Sequence, residues 1–210
     1  MTDPTTGQTI ATCEGTALYV NTEGKRFVNE MGRRDELSKA ALAQPGGVFW
    51  RMCTKKYARV KNGVTVHGLS VQSLIQQGKL VEGRTVEELA EKTKINPAVL
   101  KATFDKFNDF CRKQGVDTEF GRPSCAPNIP MYEGPYYAEP RKPSVHHTMG
   151  GVKIDTEARV ISTKGKIIPG LYAAGEVTGG IHGTNRVGGN AIPDALSYGN
   201  VAGINASSMK

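Results

Sequence analysis

Three glycine-flanked polar clusters in the last third of the chain restrict its fold more than any other feature. They are VHHTMGG at 145–151, GEVTGG at 175–180 and HGTNRVGGNA at 182–191. Glycine loses more conformational freedom on folding than any other residue, so such density indicates places where the backbone approaches another group closely. Neither phosphate-binding pattern, G-x-x-x-x-G-K-[ST] or G-x-G-x-x-G, is present. Composition alone leaves ordinary tight turns as an equally good interpretation.

A proline-rich passage separates two parts of the chain that differ in their predicted secondary structure. Six prolines lie between residues 123 and 143, and this punctuation is typical of an extended connection. Before it, Thr85 opens a capping box, and Asn96–Pro97 begins a helix with apolar residues at three- and four-residue spacing. The segments predicted after it are strands at 151–155, 158–161 and 167–175, the last of them buried, and a helix at 190–205.

The N-terminal part predicts a small sheet covered by helices. After a polar, irregular first dozen residues, two apolar runs at 17–20 and 26–29 flank turn residues and predict a hairpin. Helices are predicted at 35–44 and 71–77, where helix formers are dense. The predicted fold class is therefore α+β.

Charge and cysteine spacing restrict the partners and the compartment. The formal net charge is +7, but the lysines and arginines are scattered, so a nucleic-acid partner is not expected. A positive field suits an anionic small substrate instead. The four cysteines form no C-x-x-C pair, so no metal site is expected; their spacing predicts free thiols and favours the cytoplasm. No apolar run reaches the roughly 18 residues of a membrane-spanning helix.

Four motifs carry a resemblance to a known family. In order, GKRFVNE, HHTMGGV, GLYAAGEVTGG and HGTNRVGGNA resemble those of the fumarate reductase and succinate dehydrogenase flavoprotein superfamily, in particular soluble fumarate reductases and urocanate reductases. The resemblance runs from about residue 17 to about residue 203. It implies FAD as cofactor and reduction of the C=C bond of an α,β-unsaturated carboxylate such as fumarate.

The resemblance also implies a domain organisation. In the superfamily, a Rossmann-like FAD-binding domain carries an inserted capping domain that closes over the substrate. Residues 1–135 are therefore expected to form the capping domain, and 136–210 the partial strands and helix of the Rossmann-like FAD domain. Because no dinucleotide fingerprint is present, the N-terminal FAD-binding half is the expected missing partner. The chain alone is expected to bind FAD poorly and to be inactive.

Three residues receive substrate-site roles from the resemblance. Arg34 matches an arginine that donates a proton to the substrate, and His146 and Arg186 match residues that bind its carboxylate. A guanidinium can hold a carboxylate by two parallel hydrogen bonds. Withdrawing charge from that carboxylate polarises the adjacent double bond toward hydride from flavin N5. Without the resemblance, Arg34 is more simply a surface or salt-bridged residue, and His146 is equally well structural.

The cofactor contacts are assigned in the same way. Glu176 matches an acid that hydrogen-bonds the ribityl chain of FAD. Asn190, Ala191 and Ile192 open the last helix, whose N-terminal amides would face the flavin. The positive end of a helix stabilises negative charge, such as that of a reduced flavin.

The sequence departs from the superfamily upstream of the first predicted strand. Relatives carry there an acid and an arginine that return a proton to the donor, whereas Ile10 and Cys13 stand at those positions here. Glu14 is near enough to substitute if the register slips.

Two alternatives remain open. The chain could be a cap or interaction module without catalysis of its own. It could also belong to a flavin dehydrogenase acting on ketosteroid-like substrates, although Arg186 and His146 argue against that branch.

Overall fold

The computed structural model describes residues 1–13, 17–113, 117–123 and 130–208. The chain forms two compact units, Met1–Ser144 and Val145–Lys210. Both mix helices with small antiparallel sheets, which confirms the α+β class. The first unit ends after Ser144 and not after residue 135, because the strand Tyr136–Arg141 pairs within its sheet.

The first unit is built on a four-stranded antiparallel sheet. The strands of the unit are β1 (Leu18–Asn21), β2 (Phe49–Thr54), β3 (Val60–Lys61), β4 (Val64–Thr65), β5 (Val81–Gly83) and β6 (Tyr136–Arg141). Its helices are α1 (Arg34–Leu42), α2 (Val71–Gln76), α3 (Val86–Thr93) and α4 (Pro97–Lys113). The sheet order is β1-β2-β6-β5, while β3 and β4 form a separate hairpin. The predicted cap of α3 is confirmed, since the Thr85 hydroxyl accepts a bond from Glu88 N at 3.1 Å.

Both faces of this sheet are buried, in separate cores. Side chains alternate along a strand, so Met52 faces one core and Cys53 faces the other. The first core joins the sheet to α3 and α4 through Leu89, Leu100, Phe104 and Phe107, among others. The second joins it to α2 and the N-terminal segment through Ile10, Cys13, Leu74 and Tyr137, among others.

Two predictions for the N-terminal part are wrong. Residues 26–29 form no strand; Arg26 makes a single bridge to Val20, and β1 pairs with β2 instead. Cys13 and Cys53 form a disulfide, which contradicts free thiols at these two positions. Cys125 lies outside the described residues.

A buried cluster of four charges ties the turn after β1 to segment 117–123. Arg26 donates to both carboxylate oxygens of Glu30 at 2.8 Å and to Asp117 at 2.7 Å. Arg122 donates to Glu30 at 3.1 Å. Both guanidinium groups stack over the ring of Phe107, at 5.1 and 5.3 Å from its centroid. The GKRFVNE motif therefore has a structural use, because Arg26 and Glu30 shape the turn that leads into α1.

In this cluster, the hydrogen bonds and attraction between opposite charges outweigh the free-energy cost of burying the charged groups. Burial disfavours the charged guanidinium, but the hydrogen bonds and charges of Glu30 and Asp117 raise the pKa of Arg26. Burial also opposes ionisation of Asp117, yet the hydrogen bond from Arg26 holds the pKa of this carboxyl below its ordinary value. Asp117 therefore contributes stability above its unfolded-state pKa, and that contribution is lost as pH falls through its folded-state pKa.

The second unit is a small meander with one long helix. It contains β7 (Lys153–Ile154), β8 (Arg159–Ile161), β9 (Ile167–Tyr172) and α5 (Ala191–Ser207), with sheet order β7-β8-β9. The strand expected to be buried, β9, is exposed: Ile167, Ile168 and Leu171 are 43%, 37% and 46% accessible. Across the part of the chain that the structure describes, no helix is both long and apolar enough to cross a membrane.

Replacing Glu30 by Gln should destabilise the first unit strongly. The change leaves Arg26 and Arg122 buried with less compensating charge, and breaking a buried pair costs about 3–5 kcal/mol. Urea unfolding followed by the fluorescence of Trp50, the only tryptophan, measures this loss. Glu91→Gln, at an exposed acid of α3, is the matched control and should stay within about 0.5 kcal/mol. Equal effects of the two changes would contradict the role given to the cluster.

Candidate active site

Arg186 and His146, the two residues expected to bind the substrate carboxylate, lie side by side in the second unit. Arg186 Nη2 is 3.5 Å from His146 Nδ1, and Nη1 donates to the Val187 carbonyl at 3.2 Å. Arg186 is only 6% exposed, and its buried Nε has no hydrogen-bond partner among the described residues. Among those same residues, no carboxylate forms an ion pair with Arg186. The site therefore presents a buried cation that lacks an anion.

His147, which follows His146 in the sequence, connects the Arg186–His146 pair to Glu176, the predicted cofactor residue. His147 Nδ1 lies 3.5 Å from Glu176 Oε2, and Thr148 N donates to Glu176 Oε1 at 2.9 Å. The hydrogen bond from Thr148, followed by the charge of His147, lowers the pKa of the Glu176 carboxyl. Because the Glu176 side chain is 53% exposed, it remains available to accept hydrogen bonds from a ligand.

The start of α5 leaves backbone donors open. Asn190 occupies the N-cap position, but its side chain makes no capping hydrogen bond. Ala191 and Ile192 follow as the first helical residues, and Ile192 is 70% exposed. The first amides of a helix have no partner within the helix. The three residues that the resemblance assigned to the flavin therefore form an accessible helix start.

The glycines of the three clusters serve two different purposes. A Cβ on Gly151 would meet the Val177 carbonyl at 2.1 Å, and one on Gly179 would meet Gly151 N at 2.6 Å. These two glycines allow close packing of one chain segment on another. Gly180 and Gly189 adopt positive φ, and nothing lies within 4 Å of a Cβ built on them. The clusters therefore place an exposed carboxylate, a helix start without a side-chain cap and open glycine backbone in the same unit.

Arg34 is the first residue of α1 in the first unit and is exposed. Arg33, the N-cap residue, is engaged with Asp35 through bonds of 3.1 and 2.6 Å. That hydrogen bond raises the pKa of Arg33. Arg34 itself has no ion pair within the described residues, so the salt-bridged interpretation receives no support.

The positions of the missing acid and arginine are filled by a buried core. Ile10 and Cys13 are both fully buried. Cys13 N donates to Glu139 Oε1 at 2.7 Å, and Arg141 donates to the Ile10 carbonyl and to Glu139. Neither residue 10 nor residue 13 can therefore exchange a proton through its side chain. Glu14, the proposed substitute, lies outside the described residues.

Sequence reasoning missed a second pair in the same unit. His182 Nε2 lies 3.2 Å from Asp194 Oδ2, with side chains 12% and 5% exposed. The rings of His182 and His147 meet edge-on, with centroids 5.3 Å apart. The available signal was the histidine that begins HGTNR together with an acid in the first turn of the following helix.

Two open clefts lie elsewhere on this unit. They enclose about 780 and about 750 Å³ and are lined mainly by glycines and by residues of the β7–β9 meander. Ligand sites typically occupy about 300–1,000 Å³, but His146, Glu176 and Arg186 line neither cleft. The predicted residues therefore lie outside these two clefts.

Residues 1–192 match a family model described as FAD binding domain. Over 192 residues the chain is 44% identical to the NADH:acrylate oxidoreductase of Vibrio harveyi, covering 91% of this chain and 18% of that protein. A solved structure of the open conformation of a flavocytochrome c3 fumarate reductase matches with a TM-score of 0.74 and 40% identity. That match covers 98% of this chain and 35% of the flavocytochrome chain.

A more distant solved structure shares the fold alone. The 3-ketosteroid delta1-dehydrogenase of Sterolibacterium denitrificans matches with a TM-score of 0.69 and 24% identity, over 93% of this chain and 39% of that one. The chain spans between 18% and 39% of the lengths of these three proteins.

Glu176 should titrate below the ordinary range of a glutamate carboxyl. His147→Ala should raise the pKa of Glu176 only in part, because the hydrogen bond from Thr148 N persists. Thr148→Val is the comparison variant: it keeps the backbone donor and removes only the 3.5 Å contact of the hydroxyl with Glu176 Oε1, so it should raise the pKa of Glu176 less than His147→Ala does. Carboxyl ¹³C chemical shifts followed against pH measure all three. A normal glutamate pKa in the unsubstituted chain would contradict the described contacts.

Proposed function

This chain belongs to the FAD binding domain family, and from that premise we propose that it forms part of an oxidoreductase that reduces the C=C bond of an α,β-unsaturated carboxylate such as fumarate. In this proposal the first unit is the capping domain, and the second is the C-terminal segment of the FAD domain. FAD, the cofactor of the family, supplies the hydride when bound. The residues of this chain bind the carboxylate, contact the cofactor and deliver the proton.

The buried guanidinium of Arg186 is the observation that carries the proposal. A buried charge without a partner is costly, and Arg186 has no anionic partner among the described residues. A planar guanidinium offers donors that fit a carboxylate. His146, 3.5 Å away, can contribute to the same carboxylate. A carboxylate substrate would therefore supply the charge that this site lacks.

The proton donor is proposed to be Arg34. It is exposed and free of ion pairs in the described part of the chain, whereas Arg33 is engaged with Asp35. Arginine holds its proton tightly in water, so the donor must act on a strongly basic carbon and then be reprotonated. Since Ile10 and Cys13 cannot do this, water reaching the exposed Arg34 is the simplest source.

Glu176 and the start of α5 are proposed to hold the flavin end of FAD. Glu176 offers an ionised, half-exposed carboxylate to the hydroxyls of the ribityl chain. The free amides at Ala191 and Ile192 offer donors to the polar edge of the ring system. No described residue is assigned to the adenosine or pyrophosphate of FAD.

The exposed apolar residues of the second unit support a partner for it. Ile167, Ile168 and Leu171 of β9 and Ile192 and Leu196 of α5 are all more than a third accessible. Exposed large apolar residues on two elements of one unit are typical of a surface that another domain covers. The N-terminal FAD-binding half, expected from the resemblance, is the proposed occupant.

The two alternative functions gain less support. The same apolar surface also suits a non-catalytic interaction module, and the presence or absence of flavin absorbance in the complete protein separates the two. The ketosteroid alternative rests on shared fold alone, and a buried arginine beside a histidine has no evident use for an uncharged steroid.

Removing Arg34 should stop reduction without releasing the flavin. In the full-length, FAD-loaded protein, Arg34→Ala removes the proton donor but no cofactor contact, so fumarate turnover with a reduced dye should be lost and flavin content unchanged. Arg34→Lys should retain only a small rate, because an ammonium lacks the planar fork and places its proton differently. Arg33→Ala is the matched control and should turn over normally. If both Arg34 variants kept wild-type turnover, Arg33 would become the candidate donor.

Removing Arg186 should affect affinity as well as rate. Arg186→Ala deletes a charged hydrogen-bond donor from a desolvated site, which costs about 2–5 kcal/mol of binding. Steady-state kinetics of the full-length protein should show a raised KM for fumarate together with a lower kcat/KM. Arg159→Ala, which removes a surface arginine paired with Asp155 in the same unit, should change neither. An unchanged KM in Arg186→Ala would refute the carboxylate clamp.

A further inference from the structure

His182 lies where three segments of the second unit meet. Its ring contacts the ring of His147, which follows the substrate-site residue His146. Its Nε2 lies 3.2 Å from Asp194, in the first turn of α5. His182 also begins the loop that carries Arg186. His182 therefore contacts both the segment that carries His146 and the helix that follows Arg186.

The loop that carries Arg186 has few other restraints. From His182 to Asn190 it contains neither helix nor strand, and Gly183 and Gly189 adopt positive φ. Val187 is 71% exposed and provides no apolar anchor. The hydrogen-bond contacts of the Arg186 guanidinium within the described residues are with the adjacent Val187 carbonyl and His146. The orientation of Arg186 therefore depends on how the loop is held at its ends.

Asp194 is a buried acidic residue that contacts His182. Its side chain is only 5% exposed, and a buried carboxylate is costly unless it is paired. Of the described residues, only His182 forms an ion pair with it. Its second oxygen, Oδ1, is buried with no hydrogen-bond partner among those residues. His182 Nε2 is likewise buried without a hydrogen-bond partner among those residues. The 3.2 Å contact between His182 and Asp194 joins the start of the loop to the helix that follows it.

We propose that His182 and Asp194 form a positioning pair that orients Arg186 toward the substrate carboxylate, an inference that rests on the proposed function of Arg186. Neither residue contacts the substrate. Without the pair, the glycine-containing loop samples more conformations, and Arg186 occupies its binding orientation for a smaller fraction of the time. Apparent affinity falls by that fraction, while the reaction of correctly bound substrate is unchanged.

The test uses the full-length, FAD-loaded protein and fumarate. In the oxidised protein, which cannot reduce fumarate, calorimetric titration should show about tenfold weaker binding for both His182→Gln and Asp194→Asn, as expected if the competent fraction falls by about that factor. KM should rise in parallel, and kcat should change by less than about twofold. The double variant should be no worse than the poorer single one, because both changes break the same contact.

Asn205→Ala is the matched control on the same helix. Its side-chain amide donates to the Glu157 carbonyl at 3.0 Å, near the other end of α5. Loss of this bond also removes a polar tie between α5 and the meander, but it leaves the Arg186 loop untouched. Fumarate binding and turnover should therefore stay at wild-type values.

Three results would overturn the positioning pair while leaving the proposed function in place. The first is unchanged fumarate affinity in His182→Gln and Asp194→Asn when Arg186→Ala still weakens binding. The second is loss of kcat or flavin content at unchanged affinity, which indicates a merely structural role. The third is independent, additive effects of the two changes. If Arg186→Ala itself leaves binding unchanged, the proposed function fails and this inference falls with it.

Discussion

The buried charges of Arg26, Glu30, Asp117 and Arg122 are the interaction on which the first unit most depends. They join segments far apart in sequence, since Arg26 bonds both Glu30 and Asp117 at under 3 Å. Such a cluster is stable only when every member keeps its partner, because a single unpaired charge in the interior costs more than the pair contributes. The cluster therefore imposes one geometry on the turn after β1, and that turn leads directly into α1 and Arg34. A structural constraint in the interior thus determines where an exposed arginine is presented.

The second unit shows the opposite arrangement, in which a charge is buried and left without compensation. Arg186 is held beside His146 but lacks an anion among the described residues. Two histidine–carboxylate contacts lie nearby: His147 with Glu176, and His182 with Asp194. A protein interior tolerates an uncompensated cation when a ligand completes it. Unlike these two histidines, Arg186 contacts no carboxylate among the described residues, and this contrast supports a site for an anionic substrate.

Local signals in the sequence predicted the helices well and the strand pairing less well. The capping residue Thr85 and the stripe of Leu100, Phe104 and Phe107 identified α3 and α4, because caps and helical periodicity are local properties. The expected hairpin was wrong because β1 finds a longer, better buried partner in β2, about 30 residues away. The exposure of β9 and the disulfide of Cys13 also depend on tertiary contacts that no local pattern specifies. For the site, motif order led to the prediction of Arg186 and His146, whereas the contact of His182 with Asp194 depends on tertiary structure that no local pattern specifies.

The central claim is that a substrate carboxylate completes the charge of Arg186. A crystal structure of the complete, flavin-loaded protein with fumarate tests it most directly. The account predicts one fumarate carboxylate within about 3 Å of the Arg186 guanidinium, as expected for a charge-assisted hydrogen bond, with His146 on the same carboxylate. An Arg186 already paired with a carboxylate of the protein itself, and fumarate bound elsewhere, would contradict it.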